Sequence, residues 1–293
     1  MPHEVARLVM KVIEAQPVID AQPVLDGQAV FEAQPVLEAK PVSLRQTANH
    51  RVDPGPTELS WSPPRERAIL SSPRSSPVVV LEEVDVPAAR DPRLVVALDP
   101  DSEQARNYRL LRHRLIARSD PHVIAVTSAG AGEGKTTCAA NLALAMAEES
   151  YARVLLIEAN TQRPALAQAF GFKPADSFIA RLIHERDAKP PYFVARVRNS
   201  RLHVAALQLD GVRGMRLDRL LLGLAISELR YVYQYIVIDA GSVFESADAN
   251  VIAECSDGVI VTARARRSRR TALYRAIDQL SPTPVLGTVL LDT

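Results

Sequence analysis

From residue 94 onward, short and nearly continuous apolar runs alternate with longer stretches in which apolar residues recur every three or four positions. The runs at 123–127, 154–157, 202–207, 235–238, 258–262 and 285–290 are rich in β-branched residues and predict strands. The stretches at 101–117, 136–147, 217–229, 247–255 and 267–280 predict helices. Strands that are apolar at successive positions are covered on both faces. Their alternation with helices therefore predicts an α/β domain with a mostly parallel sheet and helices on both sides.

The pattern upstream is different. A six-residue repeat runs through Gln16-Pro17-Val18, Gln22-Pro23-Val24, Gln28-Ala29-Val30, Gln34-Pro35-Val36 and Lys40-Pro41-Val42. Proline at nearly every sixth position removes backbone donors and fixes φ, so neither a helix nor a central strand can run through it. An extended, polyproline-like spacer is the favoured reading, with a tethered interaction segment as the alternative. Residues 43–90 stay rich in Ser, Pro and Arg and read as linker, including the β-prone run at 78–86. The expected organisation is a disordered proline-rich leader over residues 1–90, which holds 12 of the 21 prolines, followed by one domain over 91–293.

Composition narrows the classes of partner. A formal charge of +1 gives no global field toward nucleic acid or anionic lipid, and DNA is not expected as a partner. The two cysteines, Cys138 and Cys255, fall in apolar helix-like segments and read as core thiols. No apolar run approaches the ~20 residues that cross a bilayer, and no secretory pattern opens the chain, so a cytoplasmic protein is expected.

Candidate chemistry lies where the strand at 123–127 meets the helix at 136–147, in Ala129-Gly-Ala-Gly-Glu-Gly-Lys135-Thr136-Thr137. Strand, glycine-rich loop and helix in that order mark a phosphate-binding loop of the P-loop NTPase type. Gly132 and Gly134 let the backbone curl so that the successive N–H groups of Gly130, Ala131, Gly132, Glu133 and Gly134 face an anion at the positive end of the helix. Lys135 then reaches the β- and γ-phosphates, and the hydroxyl of Thr136, with Thr137 beside it, ligates Mg²⁺. The strict motif has glycine where this chain has Ala129. The apolar strand Tyr235-Ile-Val-Ile-Asp239 ends in a carboxylate of the kind that holds Mg²⁺ downstream of such a loop.

Taken together, TSAGAGEGKTTCAANLALAMA, VLLIEANTQRP, YIVIDAG, the later Asp248-Ala249 and the closing VLGTVLL resemble the bacterial tyrosine kinases of capsule and exopolysaccharide synthesis, within the broad ParA/MinD class of ATPases. The similarity covers about residues 94–293. The resemblance implies ATP with Mg²⁺, held by Lys135, Thr136 and Asp239, and phosphorylation of tyrosine on a neighbouring subunit. It also implies a membrane polysaccharide chain-length or export protein as partner. The family reads Asp-x-Asp before Arg-x-Pro where this chain has Glu158 and Asn160; Glu158 is then the candidate catalytic base, and Asn160 cannot take a proton. Loss of such a base removes ~10²–10⁴ of rate. The family's tyrosine-rich tail is also missing before Thr293. The alternative is therefore a catalytically weakened ATP-binding adaptor, or a ParA/MinD-like switch. Glu103, Arg106, Arg109 and Arg112 resemble the family's oligomerisation motif and imply a homo-oligomer; a solvated helix face is the competing reading. Tyr231, Tyr233 and Tyr235 read as one packed and one wet strand face rather than phosphoacceptors. The run Arg264-Ala-Arg-Arg-Ser-Arg-Arg270 reads as solvated charge, with phosphate, anionic lipid or an acidic segment as its possible ligands.

Overall fold

The structure, a computed structural model, describes residues 77–89, 91–149, 151–174, 192–207 and 216–292. All of them belong to one compact unit; the hexad repeat and its expected disorder lie outside the described residues. Eight strands form one sheet: β1 (Val78–Val84), β2 (Val123–Ser128), β3 (Val154–Glu158), β4 (Tyr192–Val197), β5 (Leu202–Ala205), β6 (Tyr235–Asp239), β7 (Gly258–Arg264) and β8 (Val285–Leu291). Their order is β1-β4-β5-β3-β6-β2-β7-β8. From β5 to β8 every neighbouring pair is parallel. β4 runs antiparallel to β5, and β1 parallel to β4, so these two strands oppose the rest.

The helices are α1 (Val86–Ala89), α2 (Val95–Leu98), α3 (Glu103–Arg118), α4 (Lys135–Met146), α5 (Leu166–Phe170), α6 (Arg219–Leu229), α7 (Asp248–Glu254) and α8 (Arg270–Gln279). Alternation along β2 sorts the core into two layers. Ile124 and Val126 pack with Tyr108, Leu111 and Leu115 of α3 and Leu142 and Met146 of α4. Val123 and Ala125 pack with Leu222 and Ile226 of α6, Ile252 of α7 and Ala276 of α8. β2, β3 and β6 are buried along their whole length, which is why their sequences carry no polar alternation.

Two helix starts follow from side chains. Ser102 accepts a hydrogen bond from the Ala105 N–H ahead of α3, and Asp218 accepts from the Leu220 and Leu221 N–H groups ahead of α6. Asn141, fully buried in α4, donates to the carbonyls of Arg93 and Thr137 and accepts from the Val96 N–H. One amide thus ties the α1–α2 segment to the helix of the phosphate loop.

Two expectations need correction. The run at 78–86, read as linker, contains β1, which pairs with β4 from Val78↔Tyr192 to Val84↔Val197. Ahead of β6, Tyr233 and Tyr235 are buried on either side of the exposed Gln234, so the packed-and-wet alternation runs up to the strand, and from Tyr235 on every residue of β6 is buried because the strand is covered on each face. The Tyr233 hydroxyl lies 2.7 Å from His203 Nδ1, and the Tyr235 hydroxyl donates to Asp120 at 3.0 Å. Tyr231 is 90% exposed, in the turn before the strand. The helix expected at 267–280 begins only at Arg270, after a turn in which Arg266 takes a left-handed φ of 60°.

Candidate functional site

β2 delivers the chain to the carboxyl edge of the sheet, and residues 129–134 return it into α4. Gly132 and Gly134 hold φ of 72° and 83°, values that only glycine adopts cheaply. Gly134 is the N-cap of α4 and offers no side chain to its first amides, leaving those N–H groups for an anion. The loop is braced from within. Ser128 Oγ donates to the Gly130 carbonyl at 2.6 Å, and the Gly130 N–H donates to Glu133 Oε2 at 2.9 Å. The other oxygen of Glu133 accepts from the Ser268 hydroxyl. Beneath the loop, a methyl group added to Gly134 would lie 2.0 Å from Leu291 Cδ1. A Gly134→Ala variant is accordingly expected to lose about 2–4 kcal/mol of stability, from left-handed strain plus overpacking, and to lose nucleotide binding with it. Denaturant unfolding and a nucleotide titration check both parts.

Lys135 opens α4 and is buried; burial pushes its pKa below the usual lysine value, against the pull of Asp239, Glu245 and Glu133. Its ammonium donates to Ser242 Oγ at 3.1 Å, and that hydroxyl donates to Glu245 Oε2 at 2.9 Å. Thr136 donates to Asp239 Oδ2 at 2.6 Å, while Thr137 lies in the first turn and gives its carbonyl to Asn141. Asp239 is fully buried, and burial raises its pKa to about 7, with Glu158 adding to the rise and Thr136, Lys135 and Arg93 opposing it. Its Oδ1 is buried without a hydrogen-bond partner among the described residues. A hydroxyl and a carboxylate side by side, with one carboxylate oxygen unsatisfied, fit a hard divalent cation such as Mg²⁺.

Glu158 ends β3 opposite Asp239 in the β3–β6 register. Both of its oxygens are engaged by backbone. Oε1 accepts from the Ala165 and Leu166 N–H groups at the start of α5, and Oε2 accepts from the Leu207 N–H at 2.9 Å beyond β5. Burial still raises its pKa, opposed by those amide bonds. In the free domain the carboxylate brackets three chain segments, so the role of base expected from the sequence would require one of these amide bonds to open. Asn160 closes its own turn, donating to the Arg163 carbonyl at 3.2 Å and accepting from the Arg163 N–H at 3.3 Å.

Elsewhere, Arg109 forms a bidentate pair with Glu148, at 2.7–3.0 Å, and Arg112 reaches the Ala145 carbonyl, Glu148 and Glu149. Two of the three arginines of the stripe on α3 are thus committed to the end of α4 and the residues just after it. Glu103 and Arg106 remain at the surface. Sequence reasoning did not single out Ser242 and Glu245, although their position just after the strand that ends in Asp239 was a usable signal.

Residues 124–293 match the family model described as the CobQ/CobB/MinD/ParA nucleotide binding domain. The chain belongs to this family. Within the CobQ/CobB/MinD/ParA class it is similar to bacterial tyrosine kinases. It is 26% identical over 212 residues to the tyrosine-protein kinase YwqD of Bacillus subtilis, covering 69% of this chain and 87% of that one. It is 30% identical over 224 residues to the succinoglycan biosynthesis transport protein ExoP of Rhizobium meliloti, covering 72% of this chain but only 28% of ExoP. The solved VpsO kinase domain superposes with a TM-score of 0.54 at 26% identity, covering 64% of this chain and 93% of that domain. No helix among the described residues is long and apolar enough to cross a membrane.

Proposed function

We propose that this domain is an ATP- and Mg²⁺-dependent protein-tyrosine kinase acting in surface-polysaccharide synthesis, in company with a membrane chain-length or export protein. The observation that carries the nucleotide chemistry is the Thr136–Asp239 pair with its buried, unsatisfied Oδ1, at the start of a helix whose glycine N-cap offers its first amides no side-chain acceptor. Similarity to YwqD and to the VpsO kinase domain supports the transferred group and its acceptor class. The name of ExoP supports the setting in polysaccharide transport.

The loop amides and α4 N-terminus bind the β- and γ-phosphates, and Lys135 neutralises charge that builds on them during transfer. Thr136 and Asp239 hold Mg²⁺, which when bound adds Lewis-acid stabilisation of that charge. In the free domain, Ser242 and Glu245 keep the ammonium of Lys135 over the loop. Glu158 acts by position, fixing the start of α5 and the exit of β5. A homo-oligomer formed through the Glu103 and Arg106 end of α3 is part of the same proposal.

One observation favours a second reading, an ATP-binding adaptor with weakened catalysis. The loop between β3 and α5 offers Glu158, already engaged, and Asn160, an amide, where a proton acceptor is expected. The test is phosphotyrosine formation with Mg-ATP, with ATP binding measured in parallel. Signal in the wild type that Lys135→Ala abolishes sustains the kinase. ATP binding without phosphotyrosine, converted to signal by Asn160→Asp, sustains the adaptor.

A further inference from the structure

The turn between β7 and α8 carries five arginines within residues 264–270, and Ser268 ties it to the phosphate loop through Glu133. Its geometry is specified at several points. The Arg264 N–H donates to Ser268 Oγ at 2.8 Å, the Ser268 N–H donates to the Arg264 carbonyl at 2.9 Å, and the Ser268 hydroxyl is held by Glu133 of the loop. Arg266 is in the left-handed region, a conformation that costs a non-glycine residue on the order of 1 kcal/mol and persists where surrounding contacts impose it. The kink reverses the chain, so that Arg266 reaches toward Asp292 at 3.7 Å while Arg267 extends over Gly132. A methyl group placed on Gly132 would lie 3.6 Å from Arg267 Nη2 and 3.7 Å from Nη1. No carboxylate among the described residues pairs with Arg267.

We infer that Arg267 is a phosphate ligand of the nucleotide site, presented in cis by the β7–α8 turn and kept in place by the Ser268–Glu133 contact. The inference rests on the nucleotide reading above and adds a residue to it. A guanidinium without a carboxylate partner, held flat against the loop that curls around the anion, offers planar paired donors to phosphate oxygens. The left-handed kink at Arg266 and the buried carboxylate of Glu133 both serve to place it there. The basic run, read from the sequence as solvated charge, is in this view divided: Arg267 serves the site, whereas Arg270 lies over the Tyr274 ring, 5.3 Å from its centre.

The experiment measures affinity for Mg-ATP and for inorganic pyrophosphate in the full chain, at two salt concentrations. The proteins compared are wild type, Arg267→Ala, Arg267→Lys, Ser268→Ala, Arg269→Ala and Lys135→Ala. Arg267→Ala is expected to weaken both ligands by about 10–100-fold, the scale of a hydrogen bond to a charged group, and to flatten the salt dependence. Arg267→Lys recovers part of the loss, Ser268→Ala reproduces part of it, and Arg269→Ala binds as the wild type does. Arg267 is exposed, so its removal leaves the fold intact. If Arg267→Ala binds Mg-ATP within twofold of the wild type while Lys135→Ala does not bind, the inference is wrong and the nucleotide reading stands. A loss for Mg-ATP with pyrophosphate unaffected also overturns it, because the contact is then to base or ribose. A wild type that binds neither ligand removes both.

Discussion

An Asp239→Asn variant is expected to gain on the wild type in nucleotide-free stability as pH rises, by roughly 2–3 kcal/mol between about pH 5 and about pH 8. The sign follows from the direction of the shift. Burial raises the Asp239 pKa to about 7 from 3.8, so between those values the folded domain keeps a proton that the unfolded chain has released. Stability from this group is complete below about pH 4 and lost as pH climbs through about 7. The charged neighbours are Glu158, which raises the pKa, and Lys135 and Arg93, which lower it; none is removed by the substitution. An amide cannot ionise, so the variant lacks this slope. Thermal melts at a series of pH values read it directly. The same change is expected to abolish stabilisation by Mg²⁺ with ATP, since the unsatisfied Oδ1 would no longer belong to an anion. A wild-type domain that tolerates this buried carboxylate gives up stability for binding, the trade seen at sites built to hold ions. A variant that gained nothing at high pH, or still responded to the cation, would refute the assignment.

What the sequence revealed, it revealed through local order. The loop at 129–137 was legible because strand, glycines and helix follow one another without interruption, and Asp239 because it closes an apolar strand. The central parallel strands were legible for the same reason: burial on both faces writes itself as an unbroken apolar run. β1 was legible only as a β-prone run and not as part of the sheet, since its partner β4 lies more than 100 residues away and Val79, Val80 and Leu81 are partly exposed. β4 itself, with an exposed arginine at Arg196, does not read as an apolar run. The roles of Glu133, Ser268 and Asn141 depend on contacts across the chain, which no local pattern records. Glu158 is the most informative case. Its position at the end of β3 suggested proton transfer, but which atoms meet its oxygens is decided by where α5 begins and β5 ends.

That difference makes Glu158 the place where the largest loss of stability is expected. Glu158→Ala leaves three amides, of Ala165, Leu166 and Leu207, without their acceptor. Each buried unsatisfied group costs about 1–3 kcal/mol, so a loss on the order of 3–6 kcal/mol follows even after relief of the buried carboxylate. Glu158→Gln should lose roughly half as much, because the side-chain oxygen can still serve one side while the amide group faces a donor on the other. Denaturant unfolding measures both. The glutamine variant also separates the two roles a carboxylate here can have. A proton acceptor would show lost phosphotransfer with unchanged stability. A bracket shows lost stability, and it moves Asp239 as well: Glu158 raises the pKa of Asp239, so removing its charge should shift the pH at which the variant loses stability to values below those of the wild type. Both effects arise from one carboxylate set beside Asp239 in the β3–β6 register, where it orders the surrounding loops and adds to the rise that burial gives the Asp239 pKa.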